Sequence, residues 1–464
     1  MSKNRLNFHL MPPQGWMNDP NGLCYYQGYY HVFFQYSPDE VEGGKKYWGH
    51  YRSENLLNWE YVGITIKPDI PEDSNGAFSG CAFVEDGKLE LFYTGDVIEE
   101  GDYDYIHEGR EENVIYLCSE DGIHFSEKEV ILRQKDYPKD CTGHVRDPKV
   151  WKEDGTYYMV LGARKVASDE REDYGSILLY RSKDKKVWEY QSEFYSSTYF
   201  GYMWECPDYF CIEGKPVLST CPQGIPVEEY RFFNKDLSGY FLTKPISAYE
   251  GSIEKEDWMK KDFLEWDSGF EFYAPQTFLD AKGRRILIGW AGIPYPEYTN
   301  NATIKEGWQH CLTVPREITI GETGDLLQNP VEEIKELRVR KIVAGTSVTE
   351  IACKAFDAEF AFVDAAEEKS IVLADDLELS FKDGVIELAF KNNTGEGRGS
   401  RKIKADEFRN LRMLKDTSMV EYYINDGAYV FTTRYYPESV DYTVLKVQGQ
   451  IEKSEIWEMG SFYE

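Results

Sequence analysis

The sequence predicts an all-β protein, a five-bladed β-propeller followed by a C-terminal β-sandwich, and three observations point there. Strand-forming aromatics abound, with 35 Tyr, 25 Phe and 11 Trp in a chain only 42% hydrophobic. That balance suits half-buried strands and aromatic-lined polar pockets better than helical bundles. A polar-Gly turn recurs five times between β-rich runs, at Gln27-Gly28, Asp86-Gly87, Asp154-Gly155, Glu213-Gly214 and Lys282-Gly283, each in hairpin form. The glycines stand 59, 68, 59 and 69 residues apart, the regular interval of a repeat architecture.

Taken in order, each unit opens with one strand, turns at its glycine and enters a strongly apolar strand such as Tyr30-His31-Val32-Phe33-Phe34, with two further strands after it. In three units a Ser precedes an aromatic by six residues: Ser53 and Trp59, Ser119 and Phe125, Ser182 and Trp188. Radial four-stranded antiparallel blades are the packing solution for such units. Five of them fill about residues 10 to 330, inside a propeller domain of 1–330. The competing arrangement is five unrelated hairpins in a sandwich. Residues 331–345 read as a linker whose Val331–Arg340 part is charged and helix-compatible. Residues 346–464 then read as the sandwich, with period-2 runs such as Gly384–Phe390 and a hairpin around Asn425-Asp426-Gly427. The Gly-, Asn-, Lys- and Arg-rich run Lys391–Lys404 reads as a solvated loop.

Charge and cysteines narrow the function. With 82 acidic and 52 basic residues the net charge is −30, which excludes nucleic acid and anionic membrane as principal partners. The N-terminal stretch Met1–His9 lacks the apolar core of a signal peptide, and no later run approaches a membrane span. Nine cysteines, odd in number and without CxxC spacing, indicate neither a disulfide framework nor a zinc site, and a reducing cytoplasm is the expected location.

The carboxylates supply the chemistry. Asp19 lies nine residues before Gly28, Asp147 eight before Gly155 and Glu205 nine before Gly214, so three acids occupy the start of the innermost strand in units one, three and four. Those starts ring one mouth of a propeller channel. Proline follows each acid directly or after one residue, in Asp19-Pro20, Asp147-Pro148 and Glu205-Cys206-Pro207, where a missing N–H breaks no ladder bond. Gathered like charges raise at least one pKa, an arrangement suited to acid/base chemistry or to cation binding. The flanking residues Trp16, Met17, Trp204 and Pro207 are apolar rather than oxygen-rich, so no metal and no cofactor is expected. Two carboxylates about a scissile bond, one of them protonated, are the usual means of glycoside hydrolysis. Glu205 has the more desolvating neighbours for the acid, Asp19 is then the ionised partner, and Arg146 is expected to keep Asp147 ionised for binding sugar hydroxyls.

Trp16-Met17-Asn18-Asp19-Pro20-Asn21-Gly22, Arg146-Asp147-Pro148 and Glu205-Cys206-Pro207 closely resemble the three signature motifs of glycoside hydrolase family 32, which comprises invertases, fructanases and sucrose-6-phosphate hydrolases. Phe34-Gln35-Tyr36, Trp48-Gly49-His50, Phe78-Ser79-Gly80, Tyr273-Ala274-Pro275-Gln276 and Gly289-Trp290 resemble further family segments in order, and nearly the whole chain is covered. The resemblance implies a metal-free propeller-plus-sandwich enzyme that acts with retention on a terminal β-D-fructofuranosyl unit. It makes Asp19 the nucleophile, Glu205 the acid/base and Asp147 the transition-state stabiliser, with Asn18, Gln35, Trp48, Phe78, Ser79, Arg146, Tyr273 and Trp290 lining the fructose pocket. The segments Asp102–Glu111 and Cys221-Pro222-Gln223-Gly224 are most similar to the intracellular bacterial members. The partner is thus a small sugar: sucrose, sucrose-6-phosphate or a short fructo-oligosaccharide. His107, Arg110 and Arg231 are the candidate cations for a phosphate. The competing functions are an inverting arabinofuranosidase-like hydrolase on the related propeller and a non-catalytic sugar-binding propeller. Oligomeric state, a homodimer included, is left open.

Overall fold

The computed structural model describes residues 2–167, 172–196, 198–249, 260, 262–343 and 347–463, with backbone alone at 251–255. Two-residue turns explain the repeat. At Gln27-Gly28, Asp86-Gly87, Asp154-Gly155 and Glu213-Gly214 both residues take positive φ, the backbone of a type I′ hairpin. A Cβ at these glycines would meet nothing within 4 Å, so glycine is required there by conformation and not by space. The fifth hairpin is longer: Tyr273–Leu279 and Arg285–Trp290 are joined by a loop closed by Asp280, whose backbone bonds Gly283 and Arg284.

The Ser-aromatic spacing also has a cause. Ser53, Ser119 and Ser182 end third strands, and an Asx residue two positions on takes backbone N–H groups with its side chain. Asn55 accepts from Leu57 and Asn58, Asp121 from Ile123 and His124, and Asp184 from Lys186 and Val187. This one turn leads into the fourth strand each time.

Five antiparallel sheets result, opening with Gly15–Tyr26, Gly76–Glu85, Cys141–Glu153, Met203–Ile212 and Tyr273–Leu279. These first strands touch one another in sequence and the fifth touches the first, so the ring is closed. Trp308–Gln309, from the fifth unit, adds parallel to Gly15 and Trp16 and ties the ends together.

Two six-stranded sheets form the sandwich over a core that includes Phe356, Ile371, Leu388, Tyr422 and Leu445. Within 331–345, Glu332–Leu337 is a 3₁₀ helix and Arg338–Ile342 pairs with the closing strand Ile451–Met459. Lys391–Lys404 departs from the solvated-loop expectation. Ser400–Lys404 pairs with Val385–Ala389, and the fully buried Arg398 reaches across to Glu271 and Asn300 of the propeller. Composition misleads there because the arginine meets its counter-charge on another sheet. Among the described residues no helix is long and apolar enough to cross a membrane.

Candidate active site

Each innermost strand is bulged where it reaches one mouth of the channel. The irregularities fall between Met17 and Pro20, Phe78 and Gly80, Arg146 and Lys149, Glu205 and Asp208, and Tyr273 and Gln276. An extra residue re-aims the neighbouring side chains, and Asp147, Cys206 and Ala274 adopt positive φ to achieve it. The three acids are consequently not strictly equivalent. Asp19 and Asp147 sit within their bulges, whereas Glu205 precedes its own and Cys206 takes the bulge position. Counting from the glycine hides this because the first strand carries a second bulge, between Asn21 and Cys24.

All three acids line one open cavity of about 730 Å³. Asp19 is held in a closed ring of side chains. Asn18 donates to Asp19 Oδ1 at 3.1 Å and to Gln35 Oε1, Gln35 donates to Ser79 Oγ at 2.8 Å, and the Ser79 hydroxyl donates to Asp19 Oδ2. Burial pushes the Asp19 carboxyl up; the Ser79 hydrogen bond opposes this and the charge of Glu205 adds to it. Glu205 accepts from Arg146 on Oε1 at 2.7 Å, and on Oε2 from the Tyr273 hydroxyl at 2.7 Å and from Gln223 at 2.8 Å. The Cys206 backbone N–H donates to Asp147 Oδ2 at 2.9 Å, while its thiol lies 3.7 Å from Asp19 Oδ2. Cys206 thus links the three carboxylates.

Arg146 does not serve Asp147 as the sequence suggests. Its guanidinium bonds Glu205, Glu112 and His144, although Arg146 and Asp147 line the same cavity. Burial instead pushes Asp147 up to about 8, against the more distant pull of Arg146 and with the push of Glu205.

Of the pocket residues expected, Asn18, Gln35, Phe78, Arg146, Tyr273 and Trp290 are on the cavity wall. Trp48 and Ser79 stand behind it. Trp48 is fully buried with its indole N–H on the Phe78 carbonyl, and Ser79 reaches the site through Asp19. Sequence reasoning missed His144, Tyr202 and Tyr295 on the wall and Glu112 beneath it. His144 lies two residues before Arg146, the one available hint; burial holds it neutral, at about 2. Of the candidate cations, Arg110 is on the wall but is paired with Asp96, His107 is paired with Asp104 and Asp173, and Arg231 bonds the Phe263 carbonyl. Among the described residues no group of three or more His, Cys, Asp or Glu is placed to hold a metal ion.

A ring of bulged strands that brings three carboxylates to one open cavity has the architecture of a glycoside hydrolase. Residues 9–330 match the glycosyl hydrolases family 32 N-terminal domain and 326–458 the family 32 C-terminal domain, so the chain belongs to glycosyl hydrolase family 32. It is 36% identical over 451 residues to the sucrose-6-phosphate hydrolase of Bacillus subtilis, covering 94% of this chain and 89% of that one. It is 35% identical over 453 residues to the raffinose invertase of Escherichia coli, covering 93% and 89%. The sucrose-6-phosphate hydrolase of Lactobacillus gasseri superimposes with a TM-score of 0.83 at 28% identity over 100% of this chain and 94% of that one. A mutant Bombyx mori beta-fructofuranosidase in complex with sucrose also gives 0.83 at 28% identity, covering 99% and 95%.

Proposed function

We propose that this protein is a retaining β-fructofuranosidase that hydrolyses the terminal fructosyl unit of sucrose, sucrose-6-phosphate or short fructo-oligosaccharides. The observation that carries this reading is the placement of Asp19 and Glu205 on different innermost strands, facing one cavity and bridged by Cys206. Asp19 attacks the anomeric carbon. Glu205, in its protonated form, gives its proton to the leaving glucosyl oxygen and then takes one from the water that opens the fructosyl-enzyme. Asn18 and Ser79, which fix both oxygens of Asp19, pre-set the line of attack. Asp147, whose carboxyl burial pushes up, faces the cavity as a hydrogen-bond partner for the fructose hydroxyls. The sucrose-6-phosphate hydrolases among its relatives support the phosphorylated substrate. The catalytic unit is 1–330, with 346–464 contributing stability, and the nine free cysteines fit a cytoplasmic location.

Incubating the purified protein with sucrose and assaying free glucose tests the activity; absence of glucose release would leave the sugar-binding propeller. Early-time NMR tests the stereochemistry. β-Fructofuranose should appear first if Asp19 attacks the anomeric carbon directly, as the nucleophiles of retaining glycosidases do. Initial α-fructose would indicate the inverting alternative.

A further inference from the structure

The channel has a second mouth, and it too is built as a site. Where the later halves of the same five strands meet, a cavity of about 610 Å³ opens, walled by residues that include Tyr25, Phe83, Lys149, Trp151, Phe210 and Arg285. None of the three carboxylates of the first cavity borders it.

Arg285 is the unusual member. Among the described residues it is the one arginine whose side chain makes no hydrogen bond and no ion pair; its Nε is buried without a partner and its guanidinium lies 5.0 Å from the centre of the Phe210 ring. Burial draws its pKa down in spite of Asp208 and Cys211 nearby. Asp208 is engaged elsewhere: Oδ1 is 3.0 Å from Lys149 Nζ, and Oδ2 accepts the Thr277 backbone N–H. Two other wall residues carry buried donors without acceptors, the Trp151 indole N–H and the Thr277 hydroxyl. A half-buried guanidinium without an ion pair, its nearby Asp208 turned to Lys149, adds little to the stability of the empty protein. In a chain with 82 acidic residues, a carboxylate partner would be simple to supply. The terminal nitrogens of Arg285, which unlike its Nε are not closed off from solvent and have no protein partner, are left to an acceptor from solution.

We propose that this second cavity binds a small organic phosphate, with the phosphate on the Arg285 fork and the organic part against the aromatic wall. A guanidinium matches phosphate oxygens two at a time, and donors from separate strands suit a tetrahedral anion better than a planar carboxylate. Lys149 and Lys152 on the same wall are paired with Asp208 and Glu85, which leaves Arg285 as its cation without an ion pair. The volume exceeds what a bare phosphate fills and falls among small-ligand sites.

Calorimetric titration and thermal unfolding in phosphate-free buffer test this, with glucose 6-phosphate and inorganic phosphate as probes, on the parent, Arg285→Met and Arg285→Lys. Glucose 6-phosphate should bind saturably and raise the parent Tm. Affinity should fall at least tenfold in Arg285→Met, be partly kept in Arg285→Lys, and be weaker for inorganic phosphate in the parent. Without ligand, Arg285→Met should match or exceed the parent Tm, which separates lost binding from lost folding. Absence of saturable binding, or equal binding by Arg285→Met, overturns the site. Equal affinity for inorganic phosphate overturns the organic ligand. A lower Tm for ligand-free Arg285→Met overturns the premise that Arg285 lacks compensation.

Discussion

Arg146 sets the local chemistry of the site by holding the acid/base from one side and being held from the other. Its Nε and one terminal nitrogen bond Glu205 Oε1, while the remaining nitrogen meets Glu112 Oε1 at 2.6 Å. Glu112 is fully buried, its second oxygen has no partner among the described residues, and its Oε1 holds Arg146 more closely than it holds Arg110, whose Nε is 3.6 Å away. Glu112→Gln should therefore lower kcat by about tenfold to 100-fold through misplacement of Glu205, with little change in KM; steady-state kinetics on sucrose checks this, and an unchanged kcat would show that Arg146 needs no anchor. Glu205→Gln and Asp19→Asn act on the reacting bond itself. Each should lower kcat by about 10²-fold to 10⁴-fold or more with an unaltered circular dichroism spectrum. A variant within a few-fold of the parent would lose its assigned role. The three acids were legible in sequence because each is followed, directly or after one residue, by a proline, which the structure places at a bulge within an innermost strand and not at its start. Glu112 was not, because its partner comes from a neighbouring sheet and nothing in Arg110-Glu111-Glu112 distinguishes the buried acid from the exposed one.

Turns and bulges divide the elements into those a sequence can announce and those it cannot. A type I′ turn demands positive φ from two successive residues, so a polar-Gly pair is a direct chemical signature. A bulge demands only one extra residue, and its position depends on how two strands register; that is why Glu205 and Asp19 shared an offset in sequence but not a place in the bulge. The recurring Ser turn is legible for the same reason as the hairpins, since its side chain replaces backbone partners. Ser182 Oγ accepts from the N–H groups of Asp184 and Lys185. Ser182→Ala should cost about 1 kcal/mol by freeing both. Gly155→Ala, with φ of 74° and open space around it, should cost about 1–2 kcal/mol from conformation alone. Urea denaturation measures both, and a neutral Gly155→Ala would mean that the hairpin tolerates a different turn.

The two units of the whole molecule are joined by buried charge, and that joint was invisible in sequence because its members come from four distant segments. Arg316 lies between Asp267 and Glu421, Arg398 reaches Glu271, and the N-terminal segment crosses over so that His9 bonds Asp416 at 3.0 Å and Glu421 at 2.9 Å. All of these side chains are buried. Removing the sandwich would strand His9 without a carboxylate, leave Arg316 with Asp267 alone and take Arg398 away from Glu271, so residues 1–335 alone should be insoluble or markedly less stable in expression and melting tests. His9 also makes the joint pH-dependent. Burial works against its charge, but the hydrogen bonds and charges of Asp416 and Glu421 outweigh it and raise the pKa overall. A group raised on folding contributes stability that is complete below its unfolded value of about 6.5 and disappears as pH climbs through the folded value. Glu421, held down to about 2, gives the opposite limb: its contribution is present above about pH 4.3 and lost as pH falls toward 2. Asp147 and Glu265, raised by burial to about 8 and about 7, titrate in the same alkaline window, so the parent curve alone cannot report on His9. The difference between the parent and His9→Gln isolates it. In urea denaturation that difference should be constant below about pH 6.5 and shrink as pH rises above it; a difference independent of pH from 6 to 9 would mean that His9 holds the two units together as a neutral ring rather than as a cation.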